Sequence, residues 1–200
     1  GRRFDPTGRR NKLLQLLPDQ TPVVLQSLRT LKQATDAVLA VVAPGTDPLQ
    51  ALLRNEGVHV VVCETADEGM AESLKTALLA SLDLHVSSTD TCLKKPGDPV
   101  QLPVSAPLTG WVVALADMPF VQLETVKLLA HALRNGARVA IPVFQGRRGN
   151  PVVFSCRCLP DLLALRGDTG ARAMLSADHV QRIAVNDPGV VRDIDQPSDL

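Results

Sequence analysis

Aromatic side chains are scarce in this sequence, with one Trp, four Phe and no Tyr in 200 residues. A surface for nucleic acid usually interleaves aromatics with cations, and little here could build one. An excess of either charge is also missing: Lys plus Arg and Asp plus Glu both count 21. No overall field draws nucleic acid or an anionic membrane, so partners must be argued from local sites. The four cysteines, Cys63, Cys92, Cys156 and Cys158, are too few for a disulfide scaffold. Cys63 closes the apolar run "VHVVVC" and reads as a reduced core thiol. The close pair in "CRC" has no second Cys or His pair at ligand spacing, so no metal is assigned to it. His59, His85, His131 and His179 share no spacing, and no Ser-His-Asp arrangement can be drawn. Apolar runs stop at strand length, far short of the ~20 residues that cross a bilayer. No charged start leads into an apolar segment, and the expectation is a soluble, cytoplasmic chain with no nucleic-acid or membrane partner.

At 45% hydrophobic residues, the chain can bury one substantial core, and its length favours a single domain. Its apolar runs alternate with segments of helical period. "TPVVLQSLRTLKQA" places Leu25, Leu28 and Leu31 at helical spacing, and "DAVLAVVAPG" then reads as a buried strand. The alternation repeats in "DPLQALLRNEG" and "VHVVVCET", in "GMAESLKTALLASL" and "GWVVALAD", and in "LETVKLLAHALRNG" and "ARVAIPV". Such a pattern predicts an α/β fold, doubly wound, with a mostly parallel sheet and helices on both faces. Residues 85–109 turn to Ser, Thr, Pro and Gly and read as a surface excursion. Beyond 143 the pattern loosens into "QGRRGNPVVFS", a short helix "LPDLLAL", the loop "RGDTGARAML", a strand "VQRIAV" and the acidic close "VRDIDQPSDL".

Ligands of open α/β sheets sit outside the carboxyl ends of the strands, and Asp117 ends the "WVVALA" run. A strand-end Asp can also cap a helix or close a turn. Asp193 and Asp195 lie two apart in an extended segment, hence on one side of it. Carboxylates from separate strand ends suit a hard cation such as Mg²⁺ when phosphates and waters complete its shell; the other reading of the acidic close is a solvated turn, with Asp199 at a helix start. The opening "GRRFDPTGRRNKLL" gathers Arg2, Arg3, Arg9, Arg10 and Lys12 around two glycines, which suits a triphosphate or an exposed basic arm. It is not a Walker A loop, because no GK[ST] is present. In "RGDTGAR", Asp168 or Thr169 can cap a helix and Arg172 can meet Asp168 or an anionic ligand.

"GRRF…NKLL", "GMAESLKTAL", "LADMPFV", "GRRGNPVVFS", "GDTGARAML" and "DIDQPSDL", in this order, resemble the nucleotidyltransferases of the molybdenum cofactor type. Within that group "NKLL" and "GMAESL" are more similar to the cytidylyl branch than to the guanylyl branch. The resemblance implies a Rossmann-like fold of the nucleotide-diphospho-sugar transferase kind, binding a nucleoside triphosphate and Mg²⁺. It implies transfer of CMP from CTP to the terminal phosphate of molybdopterin, with a molybdoenzyme or its maturation chaperone as a protein partner. By the same resemblance Gly1 and Arg3 match the end of the Gly-rich opening loop, and Lys12 matches the lysine of its "KLL" piece. Asp117 matches the metal-binding Asp of "DMP", and Asp193 and Asp195 match the close that supplies the second metal ligand. Gly69 and Ser73 match a loop-to-helix segment near the nucleotide, and Gly149, Asn150 and Pro151 match a "GHP" piece near the acceptor.

Asn150 stands where that pattern has His, which keeps a hydrogen-bonding amide and removes a titratable ring. Gln196 replaces a Thr, and "DPTGRRN" lengthens the spacing before Lys12. Against the pattern, residues 1–200 read as a single nucleotidyltransferase domain lacking its first strand and the upstream part of the loop. Three other readings share these residues: transfer from another triphosphate such as GTP, a different phosphorylated acceptor such as a sugar phosphate, and a binding protein for nucleotide or cofactor without catalysis.

Overall fold

The computed structural model describes residues 4–5, 10–89, 107–167, 174–175 and 179–200. In chain order its helices are α1 (Val23–Lys32), α2 (Asp47–Asn55), α3 (Met70–Thr89), α4 (Leu123–Arg134) and α5 (Leu159–Leu163). Its strands are β1 (Leu39–Val42), β2 (His59–Val62), β3 (Gly110–Val113), β4 (Val139–Phe144), β5 (Arg147–Arg148), β6 (Val152–Ser155) and β7 (Val180–Ala184). The fold is α/β, as the alternation predicts. Two compact units divide the chain.

The first unit comprises Gly1–Thr35, Gly110–Ser155 and His179–Leu200. Its sheet is built on β4, whose first four residues are all buried. Val139 of β4 faces Phe154 of β6 on one edge and Val180 of β7 on the other. Strand β7 runs parallel to β4, whereas β6 runs antiparallel to both β4 and β3. Strands β3, β4 and β7 therefore share one direction, and β6 is the reversed strand among them. A tight turn at Gln145 and Gly146, both with positive φ, sends the chain back from β4 into β5, the conformation that two-residue hairpins favour.

Helix α4 begins with Glu124 in its first turn and ends with His131 and Arg134 in its last, charges that complement its dipole. Its buried face joins Leu129, Ala132 and Leu133 to Ala140 of β4 and Val153 of β6, with Val112 and Ile183 against them. Helix α1 buries Leu25 and Leu28, as their spacing predicts. A second cluster gathers Phe4, Leu17, Val23 and Ile194, with Leu13, Phe120 and Leu200 packed around it. That cluster holds the segments that carry the site.

In the second unit, Asp36–Thr109 and Cys156–Asp178, β1 and β2 pair in parallel with Leu39 opposite His59. Asp47 opens α2, with a proline in its first positions, and Leu49 and Leu53 are buried. Among the described residues, Cys63, Cys156 and Cys158 are outside any disulfide; Cys63 and Cys158 are buried and Cys156 is exposed.

Two expectations change. Helix α3 runs on to Thr89, so the surface excursion expected over 85–109 begins as helix; residues 90–106 lie outside the described residues. The strand expected to end at Asp117 stops at Val113, four residues earlier. Its partner β6 begins at Val152, opposite Val113, because Pro151 has no N–H to extend the ladder.

Gly189 shows how closely two loops of the first unit approach. A Cβ at Gly189 would lie 2.0 Å from the Phe120 carbonyl oxygen and 2.7 Å from Val121 N. Both neighbours are backbone, so no side chain can swing aside. Gly189→Ala is expected to lower stability by about 3 kcal/mol, read as a lower urea midpoint at unchanged m-value.

Candidate functional site

The opening of the described chain sets the first component. Asn11 caps a 3₁₀ turn, Lys12–Leu14, by accepting a hydrogen bond from Leu13 N at 3.0 Å. Leu13 packs against the cluster around Ile194, which anchors the turn on the core. Lys12, next to it, extends to the carboxylates.

Asp117 lies in the irregular stretch that follows β3. Ser27 of α1 donates to the Ala116 carbonyl at 3.0 Å, and Ile194 N donates to the Asp117 carbonyl at 2.8 Å. The second bond ties the "DID" segment to the first. Ile194 is fully buried, so in this extended segment its neighbours Asp193 and Asp195 present their side chains on the opposite side. The result is that Asp117, Asp193 and Asp195 can each offer a carboxylate oxygen, all within 4.8 Å of one another.

The Lys12 ammonium lies 2.5 Å from Asp117 Oδ2 and 3.3 Å from Asp195 Oδ1. Side-chain exposures of 15% for Lys12, 21% for Asp117 and 27% for Asp195 put these charges in partial shelter, where screening is weaker than on an open surface. Burial by itself lowers the pKa of Lys12. Its hydrogen bonds to Asp117 and Asp195 and their charges outweigh that effect, and the net pKa is raised. Three carboxylates and one ammonium still leave the cluster negative.

The acidic close is braced from both ends. Asp199 Oδ2 accepts from Asp195 N at 2.9 Å and from Gln196 N at 2.6 Å, and Gln196 and Asp199 form a capping box around the 3₁₀ turn Pro197–Asp199. Arg192 lies over the Phe120 ring, 4.0 Å from its centroid, and donates to the Asp199 carbonyl at 3.2 Å.

Asp187, only 1% exposed, accepts from Gln122 N at 2.9 Å, Thr125 Oγ1 at 2.7 Å and Gly189 N at 2.9 Å. It clasps the loop after Asp117 to the segment leading into Asp193. The sequence reading missed Asp187, although "NDPG" carries the capping signal of Asp followed by Pro.

Other predicted residues are distributed unevenly. Gly149 N donates to the Pro142 carbonyl at 2.9 Å and Asn150 N to the Val190 carbonyl at 2.8 Å. A Cβ at Gly149 would lie 2.5 Å from Val190 O, so this piece runs tight against the segment that leads to Asp193. Asn150 and Pro151 also line a cavity with Ser27, Leu115 and Met118. Gly69 and Ser73 stand at the start of α3 in the second unit. Gly1, Arg3 and Arg172, with Arg9, Asp168 and Thr169, lie outside the described residues. The structure thus brings together Lys12, Asp117, Asp193 and Asp195, with Gly149, Asn150 and Pro151 in the same unit.

Three hard oxygen donors on two braced segments fit a divalent cation that keeps part of its shell for phosphate or water. A primary amine already seated between two of the carboxylates shows that the cluster accommodates positive charge. Among the described residues, no helix is long and apolar enough to cross a membrane.

The chain is also similar to known proteins. The family described as MobA-like NTP transferase domain matches residues 1–183. Over 93 residues the chain is 36% identical to the purine catabolism protein PucB of Bacillus subtilis (strain 168); the match covers 45% of this chain and 44% of the length of that curated relative. The crystal structure of Rv0371c from Mycobacterium tuberculosis H37Rv is similar at 26% identity and a TM-score of 0.69, covering 96% of this chain and 90% of that one. A manganese complex of the same protein gives 24% identity, a TM-score of 0.68 and coverages of 95% and 90%. Molybdopterin-guanine dinucleotide biosynthesis protein A from Archaeoglobus fulgidus shares the fold, with 16% identity, a TM-score of 0.60 and coverages of 96% and 89%.

The brace at Asp199 has a pH signature. Backbone donation from Gln196 and Asp195 holds its carboxyl below the usual Asp value, against a smaller opposing effect of desolvation. A depressed folded-state pKa contributes stability above the unfolded pKa of about 3.9, which is lost as pH falls through the folded value. Asp199→Asn is expected to be less stable than wild type at pH 7, with the gap closing steadily below about pH 4 in denaturant titrations across that range.

Proposed function

The chain belongs to the MobA-like NTP transferase domain family, and from that membership and its carboxylate cluster we propose that it is a metal-dependent nucleotidyltransferase. In this reading it transfers CMP from CTP to the terminal phosphate of a molybdopterin-type acceptor. The observation that carries the proposal is the convergence of Asp117, Asp193 and Asp195 within 4.8 Å, within reach of Lys12.

An oxygen of the acceptor's terminal phosphate attacks the α-phosphorus of the triphosphate. The bond from that phosphorus to the bridging oxygen breaks, and pyrophosphate leaves with the electron pair. Such a step asks the protein for alignment and charge stabilisation rather than covalent chemistry. Asp117 with Asp193 or Asp195 would hold the divalent cation, here Mg²⁺, which when bound supplies Lewis-acid stabilisation of the phosphate oxygens. The manganese complex of a structural relative supports an ion of this class.

Lys12 and Arg3 would steady the triphosphate and neutralise the departing pyrophosphate, with Gly1 letting backbone approach the phosphates. Gly69 and Ser73 would serve the nucleotide. Gly149, Asn150 and Pro151 would serve the acceptor, and Arg172 would meet an anionic group of either ligand. CTP is preferred over GTP because "NKLL" and "GMAESL" are closer to the cytidylyl branch. A molybdoenzyme or its maturation chaperone would receive the product.

Calorimetric titration with CTP, GTP, ATP and UTP, with and without Mg²⁺, followed by pyrophosphate release with molybdopterin, tests the assignment. CTP preference that depends on Mg²⁺, with pyrophosphate formed only when acceptor is present, is the expected result. Preference for GTP, or turnover only with a sugar phosphate, would replace the substrates and keep the reaction class. Binding without turnover on any acceptor would make the chain a carrier. Asp117→Asn is expected to cut turnover by about a hundredfold while the thermal midpoint shifts little; wild-type turnover at saturating Mg²⁺ would refute the metal role of Asp117.

A further inference from the structure

We infer that Lys12 and the divalent cation exclude each other at Asp117 and Asp195, so that the lysine is a resident cation which must withdraw before both carboxylates can hold metal. The inference rests on the metal-dependent reading above and specifies how that site is filled. The Lys12 ammonium is 2.5 Å from Asp117 Oδ2 and 3.3 Å from Asp195 Oδ1. A magnesium-sized ion needs such oxygens at about 2.0–2.1 Å. Placed there with Lys12 unmoved, it would share the same small volume with a like charge in a partly sheltered site.

The lysine has the means to leave. Its backbone is held by the Asn11 cap and by Leu13 in the core, whereas the four-carbon stem can swing while the turn stays in place. A triphosphate supplies anionic oxygens for the ammonium once it leaves the carboxylates. Phosphate binding and metal binding then favour each other, because drawing Lys12 onto phosphate frees Asp117 and Asp195. The coupling is reciprocal by thermodynamic necessity. Without nucleotide, the apparent metal affinity is reduced by the fraction of molecules whose carboxylates are lysine-free.

Manganese titration without nucleotide tests this, with free Mn²⁺ read by electron paramagnetic resonance on wild type, Lys12→Gln, Asp117→Asn and Lys127→Gln. Lys12→Gln is expected to bind Mn²⁺ about tenfold more tightly than wild type, the change for a site occupied by lysine about nine times in ten. Asp117→Asn is expected to lose binding. Lys127→Gln, which removes the same charge from an exposed position of α4 in the same unit without touching the site, is expected to match wild type. Circular dichroism establishes that each variant folds, and Lys12→Met provides a second removal of the ammonium.

If Asp117→Asn loses Mn²⁺ while neither Lys12 variant binds it more tightly, the exchange is overturned and the metal site stands. Equal tightening in Lys127→Gln would reduce the effect to a general field and also overturn the exchange. If no form binds Mn²⁺, the metal-dependent reading falls and the inference falls with it.

Discussion

The hydrogen bond from Ile194 N to the Asp117 carbonyl joins two segments whose side chains would otherwise drive them apart. Asp117, Asp193 and Asp195 carry like charges, and holding their oxygens within 4.8 Å requires attraction elsewhere. Backbone and core supply it. Ile194 is buried with Phe4, Leu17 and Val23, Asp187 links the two loops through three hydrogen bonds, and Gly189 lets their backbones approach closely. These attachments use main chain, apolar surface and the Asp187 carboxylate, and none of them consumes the side-chain oxygens of Asp117, Asp193 or Asp195.

Lys12 completes the electrostatics without completing the structure. A partly buried carboxylate cluster with no cation is costly, and one ammonium shared between Asp117 and Asp195 relieves much of that repulsion. Its anchorage differs from that of the acids, since it comes from a capped 3₁₀ turn and not from the two irregular segments that the Ile194–Asp117 hydrogen bond ties together. A flexible stem on a fixed turn would let one charge serve carboxylates and phosphates in succession, as the proposed exchange requires. Arg192 is unlike it: the stack on Phe120 and the bond to Asp199 O keep that cation on the bracing side of the segment.

The reversed strand β6 brings the remaining piece of the first unit into place. By running antiparallel between β3 and β4 it delivers Gly149, Asn150 and Pro151 at its start, against Val190. Little in the sequence announced this strand. "PVVFS" is a short apolar run after Pro, with no period of its own, and its direction depends on the hairpin made by Gln145 and Gly146. The early end of β3 has the same origin, because its pairing stops where Pro151 begins.

Local chemistry alone determined the α/β class and the helices, since the 3.6-residue spacing of Leu25 and Leu28 and the continuous apolar run of β4 are properties of neighbouring residues. It also determined that Asp193 and Asp195 share a side, because alternation along an extended chain is local. The family pattern in six ordered pieces made Lys12 and Asp117 legible as site residues one by one. Their meeting across 105 residues is a tertiary fact, as are the clasp by Asp187 and the choice of which acids converge. Spacing along a chain fixes only which face a side chain takes; which faces are pressed together is decided when the core around Ile194 closes and the backbone of two distant loops finds its hydrogen-bond partners.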